Sequence, residues 1–226
     1  MQDNVLARAW LRSFARAVEE GEARLTALDS AIGDGDHGVN MRRGTSHVCR
    51  MLLRDETPAT VGQLLGEAGV LLRTHVGGAS GVLYGSTFQA MGAALPAHRE
   101  AAAHFGEALD AGLAAIVRLG AAAPGDKTMV DAFAPAVTAF HEACARGGTA
   151  QAAVTAAAEA AEAGARSTIP MQARKGRASY LGYRSIGHLD PGAASTEMLF
   201  RALAQEITGG PQPAAACARH GCLPGV

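Results

Sequence analysis

Val61-Gly62-Gln63-Leu64-Leu65-Gly66-Glu67-Ala68-Gly69-Val70-Leu71-Leu72 decides the fold class. Val61, Leu64, Leu65, Ala68, Leu71 and Leu72 recur at the i, i+3, i+4, i+7 spacing that lines apolar side chains along one helix face. The signature extends in both directions. Upstream, Leu6, Trp10, Phe14 and Val18 step by four. Downstream, Phe105, Leu109, Leu113 and Ile116 form one stripe, Val130, Phe133, Val137, Phe140 and Cys144 another, and Met198, Leu199, Ala202, Leu203 and Ile207 the last. Residues 150–166, mostly Ala, Glu and Gln behind an N-cap at Thr149, predict a further helix, and two more fall at about 40–54 and 81–94. No sustained period-two run interrupts them. Seven or eight helices on short connections predict an all-α, antiparallel up-and-down bundle or barrel.

Composition agrees with slim, closely packed helices. The 226 residues include 50 Ala and 28 Gly, whereas Val, Ile, Leu and Phe together number 44. That is just under the ~20% at which disorder becomes a concern. A net charge of −1 lacks the self-repulsion that disorder also requires, and it excludes a nucleic-acid binder driven by bulk charge. No run approaches the ~18 apolar residues of a membrane span, and the amphipathic start carrying Arg8, Arg12 and Arg16 has no apolar leader. The expected setting is therefore cytoplasmic, with Cys49, Cys144, Cys217 and Cys222 as reduced thiols. One domain is expected over 1–208. The 209–226 segment, which gains Pro and Gly, reads as a tail off the core. Its Cys217, His220 and Cys222 lack a fourth ligand and match no common structural zinc spacing.

The polar residues concentrate in a few connections. Six of the nine aspartates, Asp29, Asp34, Asp36, Asp126, Asp131 and Asp190, fall there. In residues 28–41 three carboxylates occur within eight positions among glycines, and hard oxygen donors of this kind select Mg²⁺ or Ca²⁺. Counting twelve positions from Asp29 or Asp34 reaches Asn40 or Thr45 rather than a bidentate Glu, which disfavours an EF-hand. The alternative is a solvated acidic turn in which Asp29 or Asp34 caps a helix. Residues 76–87 hold small residues at a helix start, which suits either an anion cradle or close helix packing. Residues 120–128 imitate a phosphate-binding P-loop, but Asp126 intervenes before Lys127 and no strand precedes it, so helix capping by Thr128 or Asp126 is expected instead. Arg174, Lys175 and Arg177 beside Gly176 suit phosphate, or a plain surface turn.

IGDGDHGVNM, GGASGVLYG, PGDKTMVDAF and ARKGRASYLGYRSIGHLDPGA, in this order, resemble the nucleotide-binding L subunit of dihydroxyacetone kinases. The likeness runs from about Trp10 to Ile207. It implies an eight-helix antiparallel barrel with nucleotide at one end. It implies that Asp29, Asp34 and Asp36 bind two Mg²⁺ ions, and that His37, Gly38, Asn40, Met41, Ala79, Ser80, Gly120, Met129, Arg177, Asp190, Pro191 and Gly192 line an ADP or ATP site. Arg177 would also stabilise the transferring phosphoryl group. Gly35 stands where some members carry Ala. The resemblance further implies a separate K subunit holding dihydroxyacetone through a histidine, and a phosphohistidine M subunit that recharges bound ADP. Two alternatives stay open: a subunit exchanging free ATP and serving dihydroxyacetone or another short ketose, and a nucleotide-loaded partner of a transcription factor. A homodimer is a further assembly to test.

Overall fold

The computed structural model describes residues 3–54, 60–96 and 101–209. The chain runs through α1 (Asp3–Ile32), α2 (His37–Leu52), α3 (Val61–His75), α4 (Gly78–Ala94), α5 (Phe105–Gly120), α6 (Val130–Ala145), α7 (Ala150–Ser167) and α8 (Pro191–Thr208). Short 3-10 helices lie at Ala101–His104 and Arg177–Ser185, and there is no strand among the described residues. None of the described helices is long and apolar enough to cross a membrane. Each α-helix packs on the next in sequence and α8 returns against α1, closing an antiparallel barrel. Alternating direction gathers the N-termini of α2, α4, α6 and α8 at the same end as the C-termini of the odd-numbered helices.

The apolar stripes face inward. Trp10 packs on Phe88 and Phe105, and Phe105 continues to Phe140, forming an aromatic chain inside the barrel. Trp10 Nε1 donates to Leu199 O at 2.9 Å, which pins α1 to α8. Thr149 accepts a backbone N–H of the following helix, as its position predicts, and Thr60 does the same at the start of α3. Cys144 departs from its stripe. It is exposed, whereas Ala143, which continues the buried row of Ala132, Ala136 and Phe140, is buried instead. Cys217, His220 and Cys222 lie outside the described residues.

Helices α3 and α4 approach closely through glycines. A Cβ at Gly85 would stand 2.8 Å from Gly69 O, and one at Gly69 would stand 2.6 Å from Gly85 O. Gly66, one turn before Gly69, has open space. Gly85→Ala should therefore destabilise the protein by about 1–3 kcal/mol, because overpacking outweighs the better helix propensity of alanine. Gly66→Ala should stabilise it by up to about 1 kcal/mol. Urea unfolding of the two variants checks the opposite signs.

Candidate functional site

Four helix N-termini at one end of a barrel put partial positive charge and unpaired amides around a common point. A cleft of about 510 Å³ opens there, a size suited to a small ligand. Its walls come from the 29–40, 77–84, 116–130, 175–178 and 190–192 segments.

The acidic wall begins on α1. Asp29 occupies its last turn and is buried, whereas Asp34 and Asp36 in the following loop are exposed. One carboxylate oxygen from each lies within 4.8 Å of the others. Asp29 Oδ2 accepts the backbone N–H groups of Asp36 (2.9 Å) and His37 (3.1 Å), so it caps the start of α2 from across the loop. The capping reading of this segment holds for Asp29. Gly33 is required where it stands, since a Cβ there would collide with the Asp29 carboxylate. Three convergent hard oxygen donors, two facing solvent, fit a Mg²⁺-sized cation that keeps open positions for phosphate or water. Arg177 Nη1 meets Asp34 Oδ2 at 3.0 Å, which brings a guanidinium to the edge of the cluster. That pair is exposed and worth little to stability.

Opposite lies the start of α4. Gly77 and Gly78 take φ of +82° and +57°, and the first bond of the helix runs from Gly81 N to Gly77 O. The amides of Gly78, Ala79 and Ser80 precede it in the first turn, where a helix leaves its N–H groups free for an anion. Gly85, by contrast, serves packing, so the glycines of 76–87 divide between the two roles. Arg43 fixes this corner by donating to His75 O (2.7 Å), Val76 O (3.0 Å) and Asn40 Oδ1 (2.8 Å). With its oxygen engaged by Arg43, Asn40 presents its side-chain N–H donors to a ligand.

The third wall carries the P-loop imitation. Lys127 does not reach outward. It is 1% exposed, and its ammonium donates to Thr168 O at 2.6 Å and to His188 O. It thereby ties the end of α7 to the loop before α8. Asp131 holds the same turn by accepting Thr128 N (2.8 Å) and Gly125 N (2.5 Å). Neither expected cap is the N-cap of α6, which is Met129: Thr128 Oγ1 accepts Val130 N at 3.2 Å in the turn before it, and Asp126 accepts Ala123 N within the loop.

Asp190 caps α8, accepting Ala193 N at 2.7 Å, with Pro191 following at the first helical position. Burial pushes its carboxyl up to about 7, against the lowering effect of the Ala193 N–H and of Lys127. The folded state therefore retains a proton that the unfolded chain releases near pH 4. The stability associated with this group is complete below about pH 4 and is lost as pH rises to about 7. Asp190→Asn keeps the capping oxygen and removes the charge. The ligand-free variant should exceed wild type by about 2 kcal/mol at pH 8, with no advantage at pH 4, in paired urea titrations.

Of the residues predicted for the site, Asp29, Asp34, Asp36, His37, Asn40, Ala79, Ser80, Gly120, Met129, Arg177, Asp190, Pro191 and Gly192 line the cleft. Gly38 and Met41 stand behind its wall. Gly38 abuts Glu22 and Thr26 of α1, and Met41 is fully buried in the core. Sequence reasoning missed Arg43 and the bracing role of Lys127. The only signals were the i+3 spacing of Arg43 from Asn40 and the rarity of lysine.

Residues 31–205 match the DAK2 domain. The PEP-dependent dihydroxyacetone kinase 1 ADP-binding subunit DhaL of Listeria innocua is 40% identical over 203 residues, covering 90% of this chain and 96% of that protein. The corresponding ADP-binding subunit DhaL of Escherichia coli K12 is 40% identical, over 86% of this chain and 93% of its own. The crystal structure of the dihydroxyacetone kinase from C. freundii in complex with AMP-PNP and Mg²⁺ superimposes with a TM-score of 0.69 at 31% identity. It covers 89% of this chain, which spans about a third (34%) of that longer one.

Proposed function

The chain belongs to the DAK2-domain family of dihydroxyacetone kinase subunits, and from that premise we propose that it is the ADP/ATP- and Mg²⁺-binding L subunit of such a kinase. The observation that carries the reading is the meeting of three carboxylates, four helix N-termini and Arg177 on a single cleft. It is a phosphotransferase subunit acting toward an alcohol acceptor.

Asp29, Asp34 and Asp36 would hold two Mg²⁺ ions, which when bound neutralise charge on the β- and γ-phosphates. The remaining work belongs to positioning and electrostatics. The amides that open α4 face phosphate, Asn40 donates to it, and Gly120 and Met129 flank the base. Arg177 leaves its exposed pairing with Asp34 to follow charge on the transferring phosphoryl group. The acceptor, dihydroxyacetone, arrives on a separate K subunit, and an M subunit returns a phosphoryl group to the retained ADP. Tyr180 and Tyr183, 88% and 80% exposed in the segment after Arg177, offer a docking partner two aromatic anchors beside the cleft.

The test is nucleotide released from the purified protein, identified by mass spectrometry with and without chelator. ADP that departs only on chelation supports a retained, rechargeable nucleotide. An empty site that fills with ATP supports the exchanging alternative. With ATP and dihydroxyacetone alone no product should form, and turnover without a K subunit would overturn the division of labour.

A further inference from the structure

His37 is held from both sides of its ring. Nδ1 lies 3.1 Å from Ser80 Oγ, in the first turn of α4, and Nε2 lies 2.9 Å from Ser195 Oγ in α8. Behind the ring, Ser195 and Thr196 are fully buried, and Tyr84 is 1% exposed. Tyr84 OH lies 2.7 Å from Ser195 Oγ and 3.1 Å from Thr196 Oγ1. Both hydroxyls also reach Gly192 O, at 3.1 Å from Ser195 and 2.9 Å from Thr196.

For a neutral ring, counting protons decides the tautomer. Behind it are five contacts and three hydroxyl protons, one each from Ser195, Thr196 and Tyr84, and the Gly192 carbonyl can only accept. Hydroxyls alone satisfy at most three contacts. A fourth is satisfied only if His37 donates from Nε2, which leaves Nδ1 as the acceptor for the Ser80 hydroxyl. The reverse tautomer loses one hydrogen bond in a fully buried space, where such losses are most costly.

We infer that Ser195, supported by Tyr84, is a positioning residue that fixes His37 as its Nε2–H tautomer and so turns the Ser80 hydroxyl proton toward the ring. The donors left to an anion at the start of α4 are then its backbone amides. This inference rests on the nucleotide reading above.

The experiment is ¹H–¹⁵N correlation of the histidine rings in ligand-free protein, together with Mg²⁺·ADP dissociation rates, for wild type, Ser195→Ala and Thr196→Val. Thr196 shares the burial and the Tyr84 and Gly192 contacts of Ser195 but does not touch the ring, so Thr196→Val reports a merely structural loosening. Wild type and Thr196→Val should show Nε2–H, with similar dissociation rates. Ser195→Ala would leave an Nε2–H buried without a partner. It should shift the ring toward Nδ1–H and release nucleotide roughly ten- to hundredfold faster, as loss of a residue that orients a ligand does. An Nδ1–H ring in wild type overturns the inference, as does equal acceleration in both variants. A wild-type protein that binds no nucleotide overturns the functional reading, while the ring spectrum still decides the tautomer.

Discussion

Asp36→Ala should abolish tight nucleotide retention and phosphoryl transfer while leaving the ligand-free fold intact. Removing one of three convergent carboxylates lowers the negative charge and donor number that a hard divalent cation requires. A loss of about a hundredfold or more in Mg²⁺·ADP affinity is expected, beyond what residues that only orient a ligand contribute. Asp36 is the informative choice of the three. Asp29 caps α2 through two backbone N–H groups, so its removal would perturb folding as well. Asp36 is exposed, and its side chain makes no capping bond to α2. Its replacement should change stability by no more than about 0.5 kcal/mol. Equilibrium dialysis with ADP at fixed Mg²⁺, paired with urea unfolding, separates the two effects. Full occupancy in the variant would sink the assignment of the metal ligands.

Lys127→Met should have the largest effect on stability. The substitution preserves the apolar stem but withdraws the ammonium from Thr168 O and His188 O, leaving one buried and one partly buried carbonyl without that partner. Each unsatisfied group costs about 1–3 kcal/mol. Asp190, already pushed up to about 7 by burial, also loses the charge that opposes the shift. A destabilisation of about 3–5 kcal/mol at pH 8 is expected, comparable to breaking a buried pair. The loss should shrink in the Asp190→Asn background, where no carboxylate needs the compensation. Lys127 also sits at φ +61°, a conformation that a non-glycine residue adopts only when its surroundings impose it. Unfolding midpoints for the single and double variants measure the coupling. A loss below about 1 kcal/mol would mean that Lys127 does not brace the cleft.

Several features were legible along the chain because their causes are local. Periodicity places Trp10, Phe14, Val18, Leu64, Leu65 and Leu72 in the core, and Thr149 marks the start of its helix, since both depend on residues a turn apart. The clustering of Asp29, Asp34 and Asp36 was equally visible, because the three are close in sequence. Local reasoning failed where a contact crosses the fold. Cys144 continues a spacing pattern, yet it is exposed in the last turn of α6, because burial depends on which neighbouring elements cover that turn. In the P-loop imitation the lysine was assigned no partner, because its carbonyls lie 41 and 61 residues away.

By itself, the sequence determined the helical type of the elements, their number to within one α-helix, their antiparallel alternation, and the segments that line the cleft. Those follow from propensity, period and short-range spacing. Tertiary structure alone decided that Lys127 faces inward while Arg177 faces the carboxylates. It also decided that Ser195, 158 residues from His37, governs which ring nitrogen carries the proton. The physical reason is that burial and long-range hydrogen bonding set a polar group's charge, direction and tautomer, and neither is encoded in the residues beside it.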